Sequence, residues 1–230
     1  EPGTSGENLT NITFSNCYFE AEDTDLYRGI ALEPVTSGTT VENIIIDHCT
    51  FKNYLWGIVI NGYSSKIKVT NCRFESCDIG VYIIGNNANY IQVDGNSFYT
   101  CDRAVEISGS HSSIDIDNNL IYACEDYGIA VVPGGSEVVS LLNIRNNQIY
   151  SSSQSVTNTF SSIYIAACND VMIVGNIIYG TPAGPSAKQP KYPIESQSCN
   201  RLFYADNRFA NHATANIGYF IMRITHLIGW

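Results

Sequence analysis

One eight-residue block, apolar-x-apolar-x-turn-(Asn/Cys)-x-apolar, recurs eight times along this chain of 230 residues. Copies begin at Ile12, Ile44, Ile67, Ile91, Ile114, Leu142, Val171 and Leu202, with separations of 32, 23, 24, 23, 28, 29 and 31 residues. Three of them read Ile67-Lys-Val-Thr-Asn-Cys-Arg-Phe74, Ile91-Gln-Val-Asp-Gly-Asn-Ser-Phe98 and Ile114-Asp-Ile-Asp-Asn-Asn-Leu-Ile121. A unit this short cannot bury its apolar face alone, so the copies must stack. Apolar residues alternate with period two inside each block. A second short strand follows most copies: Gly57-Ile-Val-Ile60, Gly80-Val-Tyr-Ile83, Ala104-Val-Glu-Ile107, Gly128-Ile-Ala-Val131 and Ser162-Ile-Tyr-Ile165. Such runs, broken by turn residues, read as strands, and no segment gives an amphipathic helix.

Coils of two or three short strands predict an all-β fold, a parallel β-helix. At roughly 4.8 Å per coil, about eight coils make a solenoid of about 35 Å. The reading is a single β-helix domain over 1–230. Its repeats run from about 9 to 215, and the apolar stretch at 216–230 is a cap or the start of a further coil. The opening Glu1-Pro2-Gly3 has neither a methionine nor a signal-peptide pattern, which points to processing or expression design.

Two block positions carry the turn. The fifth holds Asn16, His48, Asn71, Gly95, Asn118, Asn146, Gly175 and Asp206, residue types that tolerate positive φ. The sixth holds Cys17, Cys49, Cys72, Asn96, Asn119, Asn147, Asn176 and Asn207. Its consecutive asparagines predict an internal ladder, each amide bonding to the coils above and below.

These repeats resemble the right-handed parallel β-helices of the pectin-lyase-like superfamily, a likeness that specifies fold rather than reaction. The stretch Ile44-Ile45-Ile46-Asp47-His48-Cys49 looks like the Val-Trp-Ile-Asp-His motif of pectate lyases. Asp47 and His48 match, whereas Ile45 replaces the tryptophan. The arginine-containing lyase signature and the polygalacturonase motifs are not recognisable, and His48 already has a bland role in the turn column. Viral tail spikes are similar in combining loose repeats, lateral grooves and trimeric assembly. The resemblance therefore implies a polysaccharide partner, a homotrimer, and a virion or extracellular surface as the destination.

Charge narrows the partners further. With 12 basic and 22 acidic residues the net charge is −10, which argues against a duplex nucleic-acid binder, since that needs a basic stripe, and disfavours anionic membranes. No apolar run approaches the roughly 20 residues of a membrane span. The eight cysteines fall in repeat columns without zinc-type spacing, and in-register parallel side chains predict stacked reduced thiols, hence folding in a reducing cytosol.

Three outward columns are the functional candidates. Just after the block come Glu20, Lys52, Glu75, Tyr99, Tyr122, Tyr150, Tyr179 and Ala210. Four consecutive tyrosines would line one outer face, each offering an apolar ring and a hydroxyl to a sugar chain. Subunit packing and cross-coil stabilisation account for the column equally well. The loops Ser151–Phe160 and Gly180–Pro193 would wall one end of that row. A second column brings Asp94, Asp117 and Arg145 onto successive coils. Carboxylates about 5 Å apart split into an acid and a base and suit retaining glycoside hydrolysis, while Arg145 holds a substrate carboxylate or neutralises the pair. A third, at a turn, sets Asp78, Asp102 and Asp126 beside Arg103 and Glu125, with Asp102 and Arg103 as substrate contacts. No cofactor is implied, and calcium is the one ion that either acidic column would bridge. His111, His212 and His226 have no partner visible in the sequence. No phosphate loop, dinucleotide fingerprint or Ser-His-Asp pattern occurs.

The reading is a polysaccharide-binding β-helix in which cleavage by a glycoside hydrolase or polysaccharide lyase is open. Its alternative is a non-catalytic receptor-binding or structural shaft module.

Overall fold

A computed structural model describes residues 8–22, 27–34, 39–152, 160–180 and 190–211. The chain is a right-handed parallel β-solenoid built of three parallel sheets. The first sheet has eight strands, running from Leu9–Ser15 to Asn200–Ala205, and the second has eight three-residue strands, from Tyr18–Glu20 to Arg208–Ala210. The third has seven: Arg28–Leu32, Trp56–Asn61, Ile79–Ile84, Arg103–Ile107, Tyr127–Val131, Ile163–Ala166 and Ile194–Gln197. The expected count of about eight coils is therefore slightly high. Seven coils carry all three strands, and the last contributes only two.

The register is the one the block implies. Ile12 pairs with Ile44, and the column continues through Ile67, Ile91, Ile114, Leu142 and Val171 to Leu202. From Ile44 to Val171 these residues are buried, as the period-two alternation requires. The turn column adopts positive φ throughout, from 51° at Asn71 to 71° at Gly175. Inside it, Asn119 Nδ2 donates to Val93 O at 2.9 Å and to Asn147 Oδ1 at 3.0 Å, while Asn119 Oδ1 accepts from Asn96 N at 3.0 Å. The pattern repeats at Asn96, Asn147 and Asn176, so the ladder satisfies the backbone where sheet one bends into sheet two.

Beside the ladder, Phe19, Phe51, Phe74 and Phe98 stack with ring centroids 5.0, 5.1 and 4.7 Å apart. From Cys49 to Cys168 the cysteines are buried, and all eight are free. Burial pushes the Cys72 and Cys124 thiols up to about 12. His111, which lacks a partner in the sequence, is buried with one: Nδ1 accepts from Ala88 N at 3.3 Å and Nε2 donates to Ser108 O at 2.9 Å.

One column has no sequence signature. Asn11, Asn43, Lys66, Tyr90, Ser113, Leu141, Asp170 and Arg201, each one residue before a block, all have φ between 50° and 58°. The ladder pairing skips each of them, as at Thr10↔Glu42 followed by Ile12↔Ile44. These are bulges stacked coil upon coil. No helix among the described residues is long and apolar enough to cross a membrane. The opening Glu1-Pro2-Gly3, residues 153–159 and 181–189 of the two expected loops, the C-terminal stretch, His212 and His226 lie outside the described residues.

Candidate functional site

The sequence-derived candidates occupy three different places around the coil. Asp94, Asp117 and Arg145 are paired neighbours at the ends of first-sheet strands. Arg145 grips Asp117 through Nε to Oδ1 at 3.0 Å and Nη2 to Oδ2 at 2.5 Å, and Asp117 is only 9% exposed. Asp94 accepts from Asn118 Nδ2 at 2.8 Å. Asp47, in the same column, holds His48 Nδ1 at 2.7 Å, and hydrogen bonds from His48, Thr70 and Asn71 bring its carboxyl down to about 2. Asp47 and His48 thus brace a turn.

Tyr99, Tyr122, Tyr150 and Tyr179 form one column on the second sheet, as expected. Their rings make two pairs rather than one continuous stack. Tyr99 and Tyr122 are tilted by 50° at 6.4 Å, and Tyr150 meets Tyr179 edge-on at 5.8 Å. The Arg73 guanidinium lies 4.5 Å over the Tyr99 ring. Because the chain turns between sheets, this face and the Asp94–Asp117 face look outward in different directions.

Asp102 and Arg103 are brought into a larger constellation, at the junction of the second and third sheets. Asp78, Asp102 and Asp126 stand on successive coils, with Arg103 N bonded to Asp78 O and Asp126 N to Asp102 O, both at 2.9 Å. The Arg103 guanidinium bridges Glu106 and, at 3.4 Å, Asp126. Glu106 is only 6% exposed, although strand alternation points it outward, because its neighbours cover it. The Arg103 Nε is buried without a hydrogen-bond partner, a cost of about 1–3 kcal/mol of the kind that concentrates at functional sites.

Burial, then the charges of Asp78, Glu125 and Asp126, push the Asp102 carboxyl up to about 6. Asp102 therefore holds its proton into the mildly acidic range, well above an ordinary aspartate, beside carboxylates that Arg103 holds. A carboxyl raised in this way can serve as the acid beside carboxylates that serve as base or nucleophile. Among the described residues no group of three or more His, Cys, Asp or Glu is placed to hold a metal ion.

Aromatic side chains flank this charged centre along the rod. Toward the N-terminal coils, Trp56 and Tyr82 meet edge-on at 5.2 Å, with Arg28 lying 4.6 Å over the indole. Toward the C-terminal coils, Tyr127 packs on Phe160 at 4.9 Å and on Tyr164 at 5.5 Å. Tyr82, Glu106, Ala130, Tyr164 and Glu195 form one outward column. Trp56, Ile79, Arg103 and Tyr127 form the column beside it. From Trp56 to Tyr164 the strip crosses four inter-strand steps, roughly 19 Å. The sequence reading missed Trp56, Tyr82, Glu106, Tyr127 and Tyr164. The signal was available in the second short strands, whose alternate positions carry these side chains outward.

The Asp102 carboxyl makes a stability prediction. Its folded pKa near 6 lies above the ordinary 3.8, so between those values the folded chain binds more protons than the unfolded one. Stability from this group is present below pH 3.8, falls as pH rises, and is lost above pH 6. Asp102→Asn is therefore expected to raise the Tm at pH 7 by more than at pH 4 in thermal melts. Equal shifts at both pH values would show that the carboxyl is not held protonated.

The family model for the right handed beta helix region matches residues 1–112, just under half of the chain. No curated protein sequence matches the chain. Among solved structures, DFA-IIIase from Arthrobacter chlorophenolicus in complex with GF2 is similar at a TM-score of 0.62 and 13% identity, over 81% of this chain and 46% of that one. A tailspike protein mutant of E. coli bacteriophage HK620 in complex with pentasaccharide is similar at a TM-score of 0.56 and 14% identity, over 91% of this chain and 46% of that one. At these identities the likeness shows the fold, and this chain spans about half the length of either protein.

Proposed function

We propose that the outer face of the third sheet binds a polysaccharide lying along the rod axis, and that the acidic junction cleaves it. The carrying observation is the aromatic strip flanking Arg103 on both sides, with the raised Asp102 carboxyl at its edge. Aromatic rings accept the apolar faces of sugar rings, while their hydroxyls and the junction carboxyls take the sugar hydroxyls. The bound pentasaccharide of the tailspike protein supports a carbohydrate ligand on such a fold.

In cleavage, Asp102 gives its proton to the glycosidic oxygen as the bond to the anomeric carbon breaks. Asp126, on the adjacent coil, attacks that carbon to form a glycosyl ester, and a water deprotonated by Asp102 then hydrolyses the ester and frees Asp126. Arg103 positions Asp126 and Glu106 and offsets part of their charge.

Asp102→Asn is expected to lower depolymerisation of a responsive glycan at least 100-fold while retaining binding. Tyr127→Ala is expected to weaken binding about tenfold, beyond the loss of Tm that follows from removing its packing on Phe160 and Tyr164. Full turnover by Asp102→Asn together with inactive Asp94→Asn and Asp117→Asn variants would move the chemistry to the first sheet.

A second reading follows from the tyrosine pairs of the second sheet, where Tyr122 is 49% exposed. If that face packs a homotrimer shaft, Tyr122→Ala shifts the solution mass from trimer to monomer and leaves glycan binding intact. The module is then a receptor-binding or structural element with no cleavage.

A further inference from the structure

We infer that the glycan held on the third sheet is neutral, not a polyuronate or a sulfated chain; this rests on the reading of that sheet as the binding face. A chain carrying a carboxylate or sulfate on its repeating units needs cations free to meet them, ideally an arginine fork. Along this face the cations are already engaged. Arg28 pairs with Glu33 at 2.5 Å and lies on the Trp56 ring. Arg103 is divided between Glu106 and Asp126. Lys191 stands 3.6 Å from Glu195.

Negative charge remains in excess. Asp78, Asp102 and Asp126 stand on successive coils beside Glu125, so an added anion at the junction meets like charge. A ligand carboxylate entering there meets like charge in a partly buried setting and loses its water without a compensating partner. The rings and carboxyls offer a neutral sugar both stacking surfaces and hydrogen-bond acceptors, so the same groups that reject an anionic chain accept an uncharged one. Ten cations lie among the described residues, and the two without an ion pair, Lys68 and Arg208, sit on the first and second sheets.

Affinity electrophoresis of the whole chain through gels containing dextran, galactomannan, inulin, polygalacturonate, alginate or heparin separates the outcomes. Retardation by at least one neutral polymer, unchanged between low and high salt, is the expected result, with none by the three anionic polymers. Asp102→Asn/Glu125→Gln is expected to gain at least tenfold in polygalacturonate affinity at low salt. Retardation by the anionic polymers alone, weakening with salt, would overturn the neutral assignment while leaving a glycan-binding protein. No retardation by any polymer of either class would sink the binding reading itself, and the neutral assignment with it.

Discussion

Replacing Asn119 with alanine is expected to destabilise the fold by about 2–6 kcal/mol, since two buried donors lose their acceptor at roughly 1–3 kcal/mol each. Those donors are Asn96 N and Asn96 Nδ2, both 3.0 Å from Asn119 Oδ1. Val93 O and Asn147 Oδ1 lose a donor as well. Neither side has water to turn to, because Asn96, Asn119 and Asn147 are at most 1% exposed. Lys68→Ala, on the outer face of the first sheet, is expected to change stability by less than about 0.5 kcal/mol. Urea unfolding of the two variants measures the contrast, and equal midpoints would mean that the ladder does not carry the turn.

Gly80→Ala is the second large effect, expected to cost about 3 kcal/mol through overpacking. An added Cβ would lie 2.6 Å from the Phe98 ring and 2.7 Å from Ala104 O. Gly29 and Gly57 face Phe51 and Phe74 in the same way, at 2.7 and 2.8 Å. The next coil breaks the pattern informatively. Ala104 stands opposite Gly80 in register, and there the phenylalanine stack has given way to Ile121. A methyl group is thus accommodated at Ala104, where isoleucine rather than phenylalanine follows, so the ring adds to the cost that the neighbouring carbonyl also imposes. Phe98→Ile in the Gly80→Ala background is expected to recover part of the loss despite shrinking the core. A double variant no better than Gly80→Ala alone would place the strain in the backbone contact.

The coil register was legible from residues because block, turn and ladder repeat a few residue types at fixed offsets. Asparagine, glycine, histidine and aspartate at the fifth position announce the left-handed conformation they adopt. The bulge column announces nothing. Tyr90, Leu141 and Lys66 are poor choices for positive φ, and they hold it because the ladder on either side leaves no other path. Function was less legible for a geometric reason. Offsets along the chain show which residues share a column, but not which columns share a face once the coil turns. Asp94, Asp117 and Arg145 therefore came out correctly as neighbours, and so did the four tyrosines, yet the two groups face apart. Arg103 was singled out for its acidic surroundings. Its pairing with Glu106 needed the third strand to be read by alternation, as the blocks had been.

The central claim is that the third sheet, not the first or second, is the glycan face. A crystal soaked in a neutral oligosaccharide that the chain retains tests it most directly. The expected density lies along Trp56, Tyr82, Tyr127 and Tyr164, with a glycosidic oxygen within hydrogen-bond reach of Asp102. Density along Tyr99, Tyr122, Tyr150 and Tyr179, or against Asp94, with the third sheet bare, would contradict it.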